Sequence, residues 1–301
     1  MTPMLQMHAE RIRRTPWRTV LRNAWLLLLG GMFLGMVLPA SLFQSIRPLL
    51  FAMPLMILAA KDLSHLPNAL ERTRAAIAGR EWIRLPAAWL PPELVGLLRL
   101  GRAQRQGCIA WLLRRPPPAP PAGQAFGYLG LGAYRTAFAI AVFCLLVELP
   151  LDAAIVAVLP VDPDKRRLLH VLMTMGGIAT LAWVLGDRWL VGAGCHVLDG
   201  GVLRLRVGAR AAGDIPVAAI ADCRRIDEPV ARWCARHGVD VLRTLTVSPF
   251  DRPNAVLVLR PGERVRLAHL GRERADIDCV FVYLDRPDAL VDAIGQADTA
   301  A

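Results

Sequence analysis

Long apolar runs are the feature that most limits how this chain can fold. The run "AWLLLLGGMFLGMVLPASLF" covers residues 24–43, and a second run follows over residues 46–60. Two more runs cover about 136–158 and 168–186. Twenty helical residues rise about 30 Å, which is the thickness of the hydrocarbon core of a bilayer. The sequence therefore predicts four membrane-spanning helices, arranged as two hairpins.

The connection inside each predicted hairpin is short. We expect the first turn near Gln44–Arg47 and the second at "VDPDKRR", residues 161–167. The first run is too long for a cleaved signal peptide, and another run follows it almost at once. A mean hydropathy of +0.38 over the whole chain fits membrane helices combined with polar parts.

Positive charge is concentrated in the first part of the chain. The net charge is +11, and residues 1–125 hold 16 basic against 5 acidic side chains, whereas residues 187–301 hold 16 of each. Basic segments beside apolar spans are typical of the cytoplasmic side, where they meet anionic lipid headgroups. We therefore expect a bacterial inner-membrane protein with both termini cytoplasmic, in contact with membrane lipids. Nucleic acid is not the expected partner, because the basic segments adjoin spans. The basic turn Lys165–Arg167 is the one feature that opposes this orientation.

Tryptophans mark the expected membrane interface. They alternate with leucine and arginine in residues 61–125, a mixture that suits a ring half buried at headgroup level. The alternative is that this segment packs on a cytoplasmic domain. The proline-rich stretch "RRPPPAPPAG", residues 114–123, predicts a stiff extended linker. The predicted interfacial residues are Trp25, Trp82, Trp89, Trp111 and Trp189.

From about residue 192 the apolar period changes to two. The stretch "VLRLRV" after an Asp-Gly-Gly turn predicts a β-hairpin, and "TLTVS", "NAVLVLR", "RVRLAH" and "CVFVYL" predict further short strands. The last segment, "RPDALVDAIGQAD", predicts an amphipathic helix with Leu290, Val291 and Ile294 buried. About seven short strands and one helix predict a small antiparallel β-barrel over residues 191–301.

This order of elements resembles uncharacterised bacterial four-span membrane proteins that carry a C-terminal pleckstrin-homology-like domain. The stretches that carry the resemblance are 196–223, with its Ile215-Pro216 and Ile220, and 254–294, with "DRPDAL" opening the last helix. The resemblance implies a PH-like barrel capped by one helix. Phosphoinositide-binding relatives have basic residues in the loop between the first strands, whereas that loop here is "LDGG". The resemblance therefore favours a protein-binding or structural barrel.

The sequence contains no motif that indicates catalysis. It has no P-loop, no nucleophile elbow, no HExxH and no dinucleotide-binding glycine pattern. The glycine-rich "GYLGLGAYR" leads into a span, which argues against a phosphate-binding loop. Six cysteines without a CxxC pair predict reduced thiols, and Cys223, Cys234 and His237 have an irregular spacing for zinc. We therefore expect no cofactor and no metal.

Two carboxylates inside an apolar run are the strongest candidate site. Glu148 and Asp152 stand four residues apart, on one face of a helix, with Pro150 between them. A charged residue at mid-bilayer costs about 3 kcal/mol and normally has a partner, for which Arg47 and His170 are the candidates. Three interpretations stay open: a polar clamp between the hairpins, a proton relay or ion site, and a span that ends at Pro150.

The sequence thus predicts an α-helical membrane protein with a small β domain. Its expected role is non-catalytic, presenting an interaction or regulatory module to a protein partner that the sequence does not identify. The competing function is a small proton-coupled transporter or membrane enzyme using Glu148, which would require a homo-oligomer because two hairpins leave little room for a path. The predicted segments are a basic cytoplasmic N-terminus (1–23), hairpin 1 (24–60), a cytoplasmic or interfacial helical segment with its linker (61–125), hairpin 2 (126–190) and a cytoplasmic PH-like domain (191–301).

Overall fold

The computed structural model describes residues 15, 17–64, 66–79, 89–158, 162–263 and 265–299. The chain forms two compact units, Met1–Val95 and Gly96–Ala301. The eight helices of the described residues are α1 (Trp17–Val37), α2 (Ala40–Ser64), α3 (Leu66–Ala78), α4 (Pro92–Leu112), α5 (Tyr134–Val158), α6 (Pro163–Val191), α7 (Val230–His237) and α8 (Pro287–Thr299).

In the first unit, α1 and α2 pack against each other as an antiparallel pair. The side chain of Leu50 lies against Gly31, and Lys61 Nζ lies 6.0 Å from the Trp17 ring at the other end of the pair. The chain turns at Leu38–Pro39, where proline disfavours a helical conformation of the residue before it. The turn predicted near Gln44–Arg47 was wrong, because that segment is helical within α2.

The prediction of four full spans was also wrong. Among the described residues, three helices are long and apolar enough to cross a membrane: Ser41–Ser64, Tyr134–Val158 and Pro163–Val191. Helix α1 opens with two polar turns that carry Arg18 and Arg22. Its apolar part, residues 24–37, rises only about 21 Å, which is short of the hydrocarbon thickness. Three such helices nevertheless identify a membrane protein.

The second predicted hairpin is confirmed by α5 and α6, which pack along each other. Both helices are longer than predicted. Helix α6 begins earlier because Asp162 caps it, accepting a hydrogen bond from Asp164 N at 2.9 Å, with Pro163 in the first turn. Halfway along the pair, the side chain of Leu149 fits against Gly177.

The strands form two sheets rather than one closed barrel. The first has the order β1-β2-β3-β4-β8-β9 and the second β5-β7-β10-β6. All ladders are antiparallel except that of β10 with β6, which is parallel. Their bounds are β1 Gln124–Gly127, β2 Cys195–Asp199, β3 Val202–Val207, β4 Ala211–Pro216, β5 Ile220–Arg225, β6 Thr244–Val247, β7 Ala255–Leu259, β8 Leu267–His269, β9 Arg272–Arg274 and β10 Cys279–Val282.

One hydrophobic core holds the two sheets together. In β3 the predicted alternation is confirmed, with Leu203, Leu205 and Val207 buried and the arginines between them exposed. Leu257 and Val280 of the second sheet belong to the same core. The barrel prediction was wrong because, within the described residues, no ladder joins the edge strands of one sheet to the other. Period-two alternation predicts strands but does not choose their partners.

The two sheets and the helices α7 and α8 form the β-sheet domain, which consists of β1 and residues 195–299. Two elements of this domain were not predicted. Strand β1 comes from before the second hairpin and pairs with β2, so that Phe126 lies opposite His196. Helix α7 is short and polar outside, and it buries Trp233 and Cys234. The C-terminal helix α8 is confirmed, with Leu290 and Ile294 buried, whereas Val291, which was also predicted to be buried, is half-buried.

Candidate functional site

The best-defined polar site lies where the second hairpin meets the β-sheet domain, and it centres on Asp187 near the end of α6. Asp187 Oδ1 accepts hydrogen bonds from Gln104 Nε2 at 3.0 Å and from Arg210 Nε at 3.1 Å. Oδ2 accepts from Tyr134 Oη at 2.9 Å and from Arg210 Nη2 at 2.6 Å. One carboxylate thus connects α4, α5, α6 and the turn between β3 and β4. We call these four side chains the Asp187 joint.

Arg210 is the part of the joint that the β-sheet domain contributes. Its guanidinium forms a bidentate ion pair with Asp187. It donates a third hydrogen bond from Nη1 to Pro249 O at 2.7 Å. The guanidinium carbon lies 4.9 Å from the Phe250 ring centre and 5.8 Å from that of Tyr134. A planar cation held by two parallel bonds and by ring faces has a fixed orientation as well as a favourable energy.

The ion pair of the joint is largely withdrawn from solvent. The side chains of Asp187 and Arg210 are only 14% and 19% exposed. Removing one partner of such a pair leaves an uncompensated charge, which is strongly destabilising even where the intact pair adds little net stability. The joint therefore connects the spans to the sheets through an ion pair that is costly to break.

A second set of carboxylates holds the glycine-rich loop before α5. Asp285 Oδ2 and Oδ1 accept hydrogen bonds from Gly130 N at 2.7 Å and Leu131 N at 2.8 Å, and Asp285 N donates to Gly127 O at 2.8 Å. Asp251 Oδ1 accepts from Ala133 N at 2.8 Å. A Cβ at Gly130 would lie 2.8 Å from Asp285 Oδ2, so glycine permits this close approach. The loop binds carboxylates of the β-sheet domain itself.

Tyr128 and His196 form a buried polar pair beneath this loop. Tyr128 Oη donates to Arg206 O at 3.0 Å, and the two rings are 5.0 Å apart. His196 Nδ1 accepts from Arg206 N at 3.1 Å, whereas Nε2 has no hydrogen-bond partner among the described residues. Burial lowers the pKa of His196 to about 3 and raises that of Tyr128. Both groups are therefore neutral near pH 7, which suits a structural role.

The predicted carboxylates lie inside a candidate span, because α5 continues through Pro150 to Val158. Glu148 is exposed on the helix surface and Asp152 is half-buried. His170 on α6 is half-buried, and no hydrogen bond or ion pair joins it to either carboxylate within the described residues. Arg47 in the first unit is exposed, with its guanidinium 6.0 Å from the Phe51 ring. The clamp and the relay both stay predictions.

The predicted interfacial tryptophans differ in exposure. Trp25, Trp89 and Trp111 are 62%, 52% and 44% exposed, as a ring in contact with lipid would be. Trp189 is half-buried and its Nε1 donates to Arg115 O at 3.0 Å. Trp82 lies outside the described residues.

The thiols of Cys223 and Cys279 are poorly suited to chemistry at neutral pH. Burial raises the pKa of Cys223 to about 12 and that of Cys279 to about 11, so both stay protonated. Cys234, in the triplet that the sequence singled out, is buried, and His237 stacks on Trp233 with ring centres 4.0 Å apart. Within the described ranges, no group of three or more His, Cys, Asp or Glu side chains could hold a metal ion.

Sequence reasoning missed the Asp187 joint. Asp187 and Arg210 are 23 residues apart in different kinds of element, and their pairing depends on where the β3–β4 turn points. An acid in the last turns of an apolar helix was the one available signal, because such a group needs a partner.

No family model, curated protein or solved structure matches this chain.

Proposed function

We propose that this protein is a non-catalytic membrane anchor that presents its β-sheet domain to a protein partner in a fixed orientation. The observation that carries the proposal is the Asp187 joint, in which one carboxylate holds three helices and a turn of the sheet domain. A domain that only needed tethering would require a flexible linker and no shared buried ion pair.

The chain connections support the same conclusion. The sheet domain is connected to hairpin 2 at both ends of the hairpin, because β1 leads into α5 through the Asp285-bound loop and α6 leads into β2. Two short connections and a buried joint resist both swinging and rotation of the domain. The resemblance to PH-like proteins supports an interaction role for the domain, although its sheets are not closed.

The proposed location is the inner membrane of a bacterium, with both termini cytoplasmic. The excess of arginine in residues 1–125 supports this orientation. The antiparallel packing of α1 on α2 also supports it, since Trp17 at the start of the pair lies beside Lys61 near its end. With Trp17 and Lys61 on one side, the α1–α2 pair returns the chain to that side, and hairpin 2 returns it there a second time.

The test of the proposed function is capture of the full chain from its own membranes after crosslinking, comparing the wild type with Asp187→Ala. A presented module predicts a specific partner whose yield falls when the joint is broken, although the anchor remains in the membrane. Asp199→Ala, which breaks an exposed ion pair to Arg204, is the matched control and should retain the partner. Equal yield from all three proteins would contradict the proposal.

One observation favours the competing function. Glu148 is exposed on a candidate span and has no ion pair within the described residues. A carboxylate at this depth needs a neighbour or water, and a second copy of the chain in a homo-oligomer would supply either. Proton-coupled transport would then depend on Glu148 and not on the Asp187 joint.

A further inference from the structure

A basic, tryptophan-lined pocket lies at the end of α6, and none of its lining residues belongs to the Asp187 joint. It has a volume of about 780 Å³ and opens between the C-terminal ends of α4 and α6 and the proline-rich linker. Trp111 and Trp189 contribute to its walls, and Arg114, Arg115 and Arg188 bring three positive charges. We call it the arginine pocket.

The charge of this pocket is uncompensated. None of its described lining residues is acidic. Within the part of the chain that the structure describes, no carboxylate forms an ion pair with any of the three arginines. The neighbouring carboxylate of Asp187 instead binds Arg210 and Tyr134. Arg188 uses one donor on Gly192 O at 3.3 Å, which leaves most of its guanidinium free. Clustered arginines with free donors match the oxygens of a phosphate group.

The surroundings of the pocket are apolar. Arg188 and Trp189 belong to the last turn of a candidate span, so the pocket opens at the level where that span leaves the hydrocarbon. Leu112 and Leu113 beside it are 63% and 59% exposed, which suits contact with acyl chains and not with water. Trp189 is fixed by its bond to Arg115 O, and an indole at this depth is typical of the bilayer interface.

The backbone that follows the C-terminal end of α4 places Arg114 and Arg115 at the arginine pocket. Arg114 has a left-handed backbone with φ of 52°, a conformation that glycine usually adopts at a helix end. Arg115 N donates to Ala110 O at 2.9 Å and so completes the helix end. A non-glycine residue in this conformation costs about 1 kcal/mol.

We propose that the arginine pocket binds the phosphate headgroup of an anionic phospholipid, with its acyl chains along Leu112 and Leu113. The bound lipid would fix the height of the β-sheet domain above the bilayer. The site does not depend on the proposed interaction function, because it would bind lipid whether or not the domain has a protein partner.

The experiment is native mass spectrometry of the full chain released from nanodiscs that contain phosphatidylglycerol and phosphatidylcholine. The wild type should retain phosphatidylglycerol selectively. The double variant Arg114→Gln/Arg115→Gln should bind it roughly 30-fold more weakly, equivalent to about 2 kcal/mol for two arginines. Both side chains are exposed, so folding should not change.

Arg232→Gln is the matched control, because Arg232 is an exposed arginine of the β-sheet domain outside the pocket. It should retain lipid like the wild type. Arg188→Gln is an independent second variant, for which we expect a loss of roughly fivefold or more. Equal retention by the wild type and the double variant would overturn the proposal, as would an equal loss in Arg232→Gln. Displacement of the lipid by glycerol 3-phosphate at equal concentration would show a free phosphate site and would overturn the lipid assignment.

Discussion

Asp187 accepts four hydrogen bonds from three side chains, which lie on two other helices and on the turn between β3 and β4. Replacing it with alanine leaves the guanidinium of Arg210 mostly buried without its counter-charge. We expect Asp187→Ala to lower the stability of the full chain in detergent by about 3 kcal/mol. Arg210→Ala should have a similar effect, and the double variant should lose less than the sum of the two because the residues are directly coupled.

The control for this cycle is Asp199→Ala. The ion pair of Asp199 with Arg204 is 3.4 Å long and about 43% exposed on both sides, so its loss should lower stability by less than about 1 kcal/mol. Thermal unfolding of the wild type and the four variants measures both effects. An Asp187→Ala protein as stable as Asp199→Ala would show that the joint does not hold the domain.

Glu148 poses a second question at the scale of one residue. If it is a structural clamp, Glu148→Gln keeps its shape and hydrogen bonding, and detergent stability should stay nearly unchanged. Glu148→Leu should lose an interhelical hydrogen bond, worth about 0.6 kcal/mol on average in membrane proteins. Thermal melting of both variants and complementation of a deletion strain are the measurements. Complete loss of complementation in Glu148→Gln at unchanged melting would instead support the proton relay.

At the scale of elements, the crossing of α4 over α6 depends on Gly186. A Cβ at this position would overlap the carbonyl oxygen of Gln104, part of the α4 backbone. Gly186→Ala should therefore push the helices apart and lower stability by about 1–3 kcal/mol. Gly176→Ala on the same helix is the control, because nothing lies within 4 Å of its added Cβ, and it should be neutral or slightly stabilising. Melting curves in detergent that coincide for the two variants would contradict the close crossing.

The sequence predicted elements well where local pattern decides them. Hairpin 2, the strand β3 and the helix α8 follow from apolar runs, from period two and from helical spacing. The turn of the first helix pair was misplaced because hydropathy outweighed Pro39, which is the stronger local signal for a helix end. Helix α7 was missed because only Trp233 and Cys234 of its eight residues are buried, which is too few to produce a pattern.

The remaining features depend on contacts that local pattern does not contain. Strand β1 joins a sheet whose next strand lies about 70 residues later in the chain. The parallel pairing of β6 with β10 and the position of Arg210 beside Asp187 also arise from the packing of distant segments. The carboxylates Glu148 and Asp152 could be identified from the sequence because charge in an apolar run is itself a local signal.

At the scale of the whole molecule, the proposed orientation places Gly123 and Ala301 in the cytoplasm and Asp162 outside. Paired reporter fusions at these positions measure it directly. The fusions at Gly123 and Ala301 should be active as cytoplasmic reporters, and the one at Asp162 should be active as a periplasmic reporter. The physical reason is the excess of arginine before residue 125. A periplasmic reporter signal at Ala301 would reverse the orientation of the β-sheet domain.

Hairpin 2 and the β-sheet domain are proposed to have one fixed geometry, and a pulsed electron paramagnetic resonance distance between them measures this. Spin-labelled amino acids would be placed at Thr174 on α6 and at Arg232 on α7, both of which are exposed. A fixed geometry predicts a single narrow distance distribution in the full chain in nanodiscs, and a broad one after Asp187→Ala. A broad distribution in the wild type, or one that Asp187→Ala leaves narrow, would contradict it.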